Sequence, residues 1–206
     1  KKLGLLGINV GPNKDSSDRL NDYLIGLKTF YDDADYITIN ISSPNTENLR
    51  NFHDETKFDE LMSSIQKEKI NLKSKIPIVV KISPDISDDQ IELISKVSLE
   101  YNISAIIVSN TTSKNREKLN NILKHQKGGL SGKPLRDIST EFIKRFYKDL
   151  RGKIPIIGVG GIHKPNDAIE KLDAGASLIQ LYTGFVYEGP GVVKRINKSI
   201  LKKAIK

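Results

Sequence analysis

The 206-residue chain contains no cysteine and no tryptophan, and it has only three histidines. The absence of cysteine excludes disulfides, thiolate metal sites and cysteine nucleophiles, so a catalytic base must be an oxygen or nitrogen group. Because His53, His125 and His163 lie far apart and form no HxxxH pattern, we expect no metal site. We also expect His53 and His125 to be solvated, since both lie in charged stretches that predict loops.

Long apolar runs and clustered aromatic residues are missing as well. No stretch approaches the ~20 apolar residues that a membrane span needs, and the apolar part of KKLGLLGINVGPNK at the N-terminus is too short for a signal peptide. The net charge of +8 comes mostly from lysines scattered beside acidic residues, while aromatic residues make up 6% of the chain. Because nucleic-acid binding favours a basic stripe interleaved with aromatic side chains, we expect no nucleic-acid partner.

Six short apolar runs rich in isoleucine and valine predict β-strands. They are nearly continuous rather than alternating with polar residues, which is typical of strands covered on both faces and therefore of a parallel sheet. The runs are Leu3 to Val10, Tyr36 to Ile41, Ile76 to Ile82, Ala105 to Val108, Ile154 to Val159 and Ser177 to Leu181.

Segments with helical spacing separate these runs. Ser87 to Gln90 has the S-x-x-Q form of a capping box, Pro165 suits a first helical turn, and Gly175 suits a helix end. The C-terminal run GVVKRINKSILKKAIK has its apolar residues on one face, which predicts a last helix packed on the sheet rather than on a membrane. Alternating strands and helices indicate either an open doubly wound sheet or a closed (β/α)8 barrel.

Polar residues at the strand ends favour the barrel. In a barrel the C-terminal ends of all strands converge on one mouth, whereas an open sheet collects ligand groups only near its switch point. Polar or glycine residues end every run, namely Asn9, Asn40, Ser42, Ser43, Lys81, Asn110, Thr111, Gly160, Gly161, Tyr182 and Thr183. We therefore expect an α/β fold in which residues 1–206 form the C-terminal three-quarters of one (β/α)8 TIM-barrel domain, about strands 3 to 8 with their helices, and in which two strands precede Lys1.

Three motifs carry the candidate chemistry, and each has an alternative. GVGGI, Gly158 to Ile162, leads from a strand into a helix and either cradles a phosphate or forms a tight turn. Lys81 at a strand end is desolvated for Schiff-base chemistry, kept charged beside an anionic ligand, or extended to solvent. NISSPNT, Asn40 to Thr46, offers carboxamides that suit a planar ring with imide and amide edges, or else it forms an Asx-type turn.

Taken together, these strand ends resemble those of the dihydroorotate dehydrogenase family, in particular its quinone-linked, membrane-associated class 2. The resemblance covers essentially the whole chain, and the motifs follow in the same order: GINVGPNK, DYITINISSPNTENLR, VVKISPD, IIVSNTT, GGLSGKPL, IPIIGVGGI and GASLIQLYTG. It implies a barrel that binds flavin mononucleotide (FMN) and oxidises dihydroorotate to orotate in de novo pyrimidine biosynthesis.

The resemblance also implies roles for individual residues. Ser43 stands where class 1 enzymes have a cysteine base, and it would take the C5 proton of dihydroorotate while the C6 hydride goes to flavin N5. The substrate-binding positions are matched by Asn40, Asn45, Asn110 and Thr111. The FMN-binding positions are matched by Asn9, Asn40, Lys81, Ser109, Gly132, Gly161, Tyr182 and Thr183. Asn48 replaces the glycine that the family usually has in the lid after the base, so we expect an altered lid mobility.

The same resemblance implies a quinone as electron acceptor and peripheral membrane association through an N-terminal segment absent from this chain. The membrane would be the bacterial cytoplasmic membrane or, in a eukaryote, the mitochondrial inner membrane. Three alternatives stay open: another FMN barrel such as a class 1, dihydropyrimidine or dihydrouridine enzyme; a Schiff-base aldolase that uses Lys81; and a non-catalytic module that binds phosphate or nucleic acid. The lack of cysteine argues against FMN barrels with a cysteine acid or base.

Overall fold

Six parallel strands pair in chain order and form the sheet that positions the rest of the protein. The computed structural model describes residues 4–43 and 49–205. The strands are β1 (Gly7–Val10), β2 (Tyr36–Asn40), β3 (Ile78–Ile82), β4 (Ala105–Val108), β5 (Ile156–Val159) and β6 (Leu178–Gln180). Each strand pairs in parallel with the next. The sheet curls into a half-barrel, so that residues of β1, β2, β3, β4 and β6 line one cavity at its mouth.

Helices connect the strands and cover the outside of the sheet. They are α1 (Arg19–Phe30), α2 (Glu55–Asn71), α3 (Asp88–Glu100), α4 (Arg136–Leu150), α5 (Pro165–Asp173), α6 (Thr183–Glu188) and α7 (Gly191–Ala204). Short 3-10 segments occur at Leu49–His53, Arg116–Lys118, Ile122–His125 and Lys133–Leu135. Over the part of the chain that the structure describes, no helix has both the length and the apolar character to cross a membrane.

The predicted helix ends are confirmed. The Ser87 hydroxyl accepts a hydrogen bond from the Gln90 N–H (3.3 Å), and the Gln90 side-chain oxygen accepts one from the Ser87 N–H (3.0 Å), which completes the capping box of α3. Pro165 is the first residue of α5, and Gly175 follows the end of that helix with a φ of +111°. Glycine adopts this left-handed conformation without the steric cost that a Cβ atom imposes.

The six predicted strands are all present, but the first one is shorter than predicted. β1 begins at Gly7, and Leu5 and Leu6 before it are 81% and 51% exposed, while the predicted start at Leu3 lies outside the described residues. The chain before Tyr36 is a turn, so the parallel ladder with β2 has no partner residues below Gly7. Leu6 instead exchanges hydrogen bonds with Asp35, whose carboxylate accepts from the Leu6 N–H at 2.6 Å.

Both faces of the sheet are apolar. One set of strand residues, including Ile39, Val80 and Ile106, packs against the helices and forms the main core. The alternate set, with Val79, Ala105, Ile107 and Ile157, forms a second cluster inside the half-barrel. This double burial is the arrangement that the continuous apolar runs predict.

The last helix packs as predicted, although with a narrower apolar face. Val192 and Ile196 of α7 are buried against Ile162 and Ala168, with Ile200 at the edge of this cluster. Two residues that the helical pattern placed on the same face, Val193 and Ile205, are 40% and 85% exposed. The helix contacts α5 and α6, and the apolar cluster that its buried residues join also includes Ile179 of β6.

A fully buried lysine joins α4 to α5. The Lys171 ammonium donates hydrogen bonds to the Arg136 carbonyl and to the Thr140 hydroxyl, both at 2.5 Å. Burial lowers the pKa of Lys171 to about 8. Its side chain also lies beside Gly158 of β5, where an added Cβ would be 3.2 Å from the Lys171 Cβ. The lysine therefore sits in the layer between the helices and the sheet.

Replacement of Lys171 by methionine should change how stability depends on pH. An unfolded lysine has a pKa of about 10.4, so the unfolded chain binds more protons than the folded one between pH ~8 and ~10. This single group should therefore make the free energy of unfolding rise over that interval, by on the order of 2 kcal/mol. We expect the rise in wild type, and in a Lys194→Met control on the exposed side of α7, but not in Lys171→Met. Urea unfolding at several pH values measures it, and equal pH slopes in all three proteins would contradict the assignment.

Candidate active site

The C-terminal ends of the strands open into a cavity of about 490 Å³. Asn9 of β1, Asn40 of β2 and Lys81 of β3 face this cavity, and Asn40 and Lys81 are direct neighbours in the sheet register. The wall is completed from the other side by Gln180 of β6. Side chains from the loops after β2 and β4 also line it, namely Ser43, Asn110 and Thr111.

A second cavity of about 280 Å³ adjoins the first at the ends of β5 and β6. The two cavities share Lys81, Asn110, Thr111 and Gln180. The smaller one is otherwise lined largely by small residues, and it includes the predicted positions Ser109, Gly132, Gly161, Tyr182 and Thr183. The structure therefore brings the predicted site residues that it describes to one mouth.

Glycine is required where the backbone closes the second cavity. Gly161 has a φ of +72°, and an added Cβ would lie 2.4 Å from the Arg136 Cα. At Gly184, in the first turn of α6, an added Cβ would lie 1.8 Å from the Ile162 carbonyl oxygen. Side chains cannot occupy these positions without a backbone shift. The result is a small, backbone-walled space with the Thr183 hydroxyl at its edge, which fits a phosphate group.

Lys81 places a positive charge between the two cavities. Its side chain is partly buried, and this burial lowers its pKa. Among the described residues, no hydrogen bond or ion pair involves its ammonium group, whereas that of Lys171 donates two hydrogen bonds. An uncompensated lysine in a polar cavity favours an anionic ligand.

Hydrogen bonds connect the polar side chains after β2 to those after β4. Asn40 Oδ1 accepts from the Ser42 N–H (3.2 Å) and from the Ser42 hydroxyl (2.8 Å). Asn110 Nδ2 donates to the Ser42 hydroxyl (3.0 Å), and Asn110 Oδ1 accepts from the Thr111 N–H (2.7 Å). From outside the sheet, the buried Tyr23 hydroxyl donates to the Asn40 carbonyl at 2.7 Å, and burial raises the pKa of Tyr23.

One expectation about the histidines is wrong. His53 is completely buried, its Nε2 accepts a hydrogen bond from the Ser83 N–H (3.3 Å), and its carbonyl accepts one from the Gln90 side chain (3.4 Å). The 3-10 segment that ends at His53 folds against the loop after β3, a long-range contact that the charged neighbours of His53 do not indicate. His125 is exposed, as expected.

Some predicted positions are not described, and some lining residues were not predicted. Asn45 and Asn48 lie outside the described residues. Thr38, Ser131 and Gln180 line the cavities without having been predicted. Gln180 had a detectable signal, because it is the one polar residue in the interior of its short apolar run. Over residues 4–43 and 49–205, no group of three His, Asp or Glu side chains is arranged to hold a metal ion.

The fold and the site define a class of protein. It is a parallel (β/α) barrel with a polar cavity at the C-terminal strand ends and a second, glycine-lined cavity after the last two strands. Residues 1–204 match the family described as dihydroorotate dehydrogenase. The chain belongs to this family, and the resemblance drawn from its motifs is confirmed.

The relatives are quinone-linked members of that family. A protein from Christiangramia forsetii named dihydroorotate dehydrogenase (quinone) is 45% identical over 98% of this chain and 59% of its own length. The mitochondrial quinone enzyme of Mus musculus is 44% identical over 95% of this chain and 50% of its own length. A crystal structure of the Eimeria tenella enzyme in complex with ferulenol superposes with a TM-score of 0.93 at 34% identity, covering 98% of this chain and 58% of that one.

These comparisons confirm the predicted fold class, since the six parallel strands match part of a (β/α)8 barrel. The chain spans between half and three-fifths of the length of these relatives.

Alanine at Gly184 should damage the second cavity. The new Cβ would meet the Ile162 carbonyl oxygen at 1.8 Å, so the backbone must move, and we expect a loss of about 2 kcal/mol or more in the free energy of unfolding. Gly191, in the first turn of α7, is the matched control, because a Cβ there meets only the Arg195 guanidinium at 3.4 Å. Gly191→Ala should leave stability unchanged or slightly raised. Urea unfolding of both variants measures the difference, and equal stabilities would contradict the close approach.

Proposed function

We propose that the full-length protein oxidises dihydroorotate to orotate with FMN and passes the electrons to a quinone. The observation that carries this proposal is the convergence of Ser43, Asn40, Lys81 and Asn110 on one cavity beside a glycine-walled space, in a chain of the dihydroorotate dehydrogenase family. Family membership favours this function over the aldolase and the non-catalytic module. Peripheral attachment to a bacterial cytoplasmic or mitochondrial inner membrane, through a segment outside this chain, belongs to the same proposal.

The residues present fit the cofactor. Gly161, Tyr182 and Thr183 would hold the FMN phosphate, and Gly132 would contact the cofactor beside them, because a Cβ at Gly161 would clash with Arg136 and glycine leaves that space to a small anion. Lys81 would lie at the ring end, where its unpaired charge suits a flavin that gains negative charge on reduction. The ring would also contact Asn9, Asn40 and Ser109. When bound, FMN supplies a two-electron acceptor.

Ser43 is the proposed general base. It lies in the larger cavity directly after Asn40 and Ser42, which hold that end of β2 in place. The serine oxygen would take the proton from C5 of dihydroorotate, the hydride from C6 would pass to the two-electron acceptor, and the C5–C6 bond would become the double bond of orotate. Because a neutral hydroxyl is a weak base, Ser43 must pass its own proton to another acceptor during the step. Asn40, Asn45, Asn110 and Thr111 would hold the ring in register with Ser43.

Spectroscopy on the full-length protein tests the proposal. The purified protein should be yellow, its flavin absorbance should bleach when dihydroorotate is added without oxygen, and a soluble quinone should restore the colour. Borohydride trapping of a carbonyl substrate on Lys81 without a flavin would indicate an aldolase. Salt-dependent DNA binding by a colourless protein would indicate a binding module.

Replacement of Ser43 by alanine tests the base. Loss of a positioned general base typically costs about 10²- to 10⁴-fold in rate, so Ser43→Ala should bleach more slowly by that factor. Ser95→Ala is the matched control, since Ser95 is a buried serine of α3 that does not line either cavity. Anaerobic stopped-flow absorbance measures the rates. Bleaching by Ser43→Ala at the wild-type rate would remove the base assignment but leave the cofactor and substrate in place.

Replacement of Lys81 by methionine should have opposite effects on stability and on flavin binding. Methionine removes a partly buried charge that the described residues do not pair, so the flavin-free protein should melt at a temperature a few degrees higher. The same change removes a favourable interaction with the anionic cofactor, so FMN should dissociate more readily. Lys96→Met, on the exposed side of α3, should change neither property. Thermal melting and flavin fluorescence measure both, and a stabilised variant that retained FMN as firmly as wild type would contradict the role of Lys81.

A further inference from the structure

Ser42 is the fully buried residue between the two carboxamides of the mouth. We infer that Ser42 is a positioning residue that orients Asn40 and Asn110 so that both present amide N–H groups, and not carbonyl oxygens, to the substrate. This inference rests on the proposed function and deepens it, because it states which chemical groups of the substrate meet these two side chains.

A backbone N–H group, which can only donate, identifies which end of each carboxamide is the oxygen. The Ser42 N–H lies 3.2 Å from one end of the Asn40 side chain, so that end must be the oxygen. The Thr111 N–H lies 2.7 Å from one end of the Asn110 side chain, which must likewise be the oxygen. The nitrogen of Asn110 is then the atom 3.0 Å from the Ser42 hydroxyl.

The Ser42 hydroxyl bonds to both carboxamides, and it has one proton to donate. Because it accepts from Asn110 Nδ2, its proton is left for another partner, and the Asn40 oxygen stands at 2.8 Å. Ser42 thus accepts from one carboxamide and donates to the other, and it links residues 68 positions apart in the chain. Since the side chain has no exposed surface, water cannot take over either bond.

Both asparagine side chains line the larger cavity and have amide N–H groups left to donate to a ligand. Asn40 Nδ2 keeps both of its N–H groups, and Asn110 Nδ2 keeps one, without a partner among the described residues. Together with the Lys81 ammonium, this side of the mouth offers donors and positive charge. It therefore selects a ring that carries oxygen acceptors, such as ring carbonyls or a carboxylate, and disfavours a ring with N–H or amino groups at those edges.

Binding of orotate to the oxidised, flavin-loaded full-length protein tests the inference. We expect Ser42→Ala to weaken orotate binding about tenfold, which corresponds to about 1.4 kcal/mol, while flavin content stays at the wild-type level. Ser98→Ala is the matched control, because Ser98 is an equally buried serine of α3 whose hydroxyl makes no hydrogen bond to the residues that the structure describes. It should bind orotate as wild type does. Isothermal titration calorimetry gives the dissociation constants.

A double-mutant cycle separates positioning from a general structural effect. If Ser42 acts through the carboxamides, its replacement should cost much less, below about threefold, in an Asn110→Ala background. Ser42→Cys, which keeps a similar size but hydrogen-bonds weakly, should reproduce the tenfold loss and covers the case in which Ser42→Ala does not fold. Additive effects of the two substitutions, or wild-type affinity in both Ser42 variants, would overturn the inference. If the wild-type protein failed to bind orotate or its flavin failed to bleach, both the proposed function and the inference would be wrong. If the wild type were fully active and the Ser42 variants bound orotate equally well, only the positioning role of Ser42 would be wrong.

Discussion

The sheet has apolar side chains on both faces, and the rest of the structure depends on this constraint. Ile39 and Val80 pack against the helices, while Val79 and Ile107 fill the interior of the half-barrel. A polar group placed along such a strand would lack both water and a partner, at a cost of roughly 1–3 kcal/mol. Most polar strand residues therefore lie towards the carboxyl ends, where the candidate active site begins, although Thr38 is buried in the middle of β2 and lines the larger cavity.

Two buried or partly buried lysines of the chain differ in whether the protein provides hydrogen-bond partners for the ammonium group. Lys171 is fully buried, but the Arg136 carbonyl and the Thr140 hydroxyl accept its hydrogen bonds, so it completes the packing of α4 on α5. Lys81 is partly buried at the mouth, and the described residues leave its charge without a counterion. A lysine that the described residues leave without a partner in a polar cavity favours an anionic ligand there, because binding the anion would offset the cost of its desolvation.

Hydrogen bonds connect the loops around the mouth of the half-barrel to one another. Ser42 joins the end of β2 to the loop after β4, and the buried His53 joins the segment after β2 to the backbone at Ser83, after β3. Asp85, two residues further on, accepts hydrogen bonds from Thr112 and from the backbone N–H of Ser113. These bonds hold the candidate catalytic residues on a connected scaffold, which is the condition for keeping a base and a ring at reacting distance.

The order of the strands, the capping box at Ser87 and the collection of polar residues at one mouth follow from local patterns and from the rules for parallel sheets, so the sequence by itself determined them, together with the family. Local patterns did not predict the burial of His53 or the lining position of Gln180, and the partner of His53, Ser83, lies 30 residues away in the chain. Only the tertiary structure decided which way the Asn40 and Asn110 amides face and which buried lysine keeps a partner. These arrangements depend on interatomic distances of about 3 Å or less, some of them between segments remote in the chain, such as Ser42 with Asn110 and Lys171 with Arg136, and no periodicity of the sequence encodes those distances.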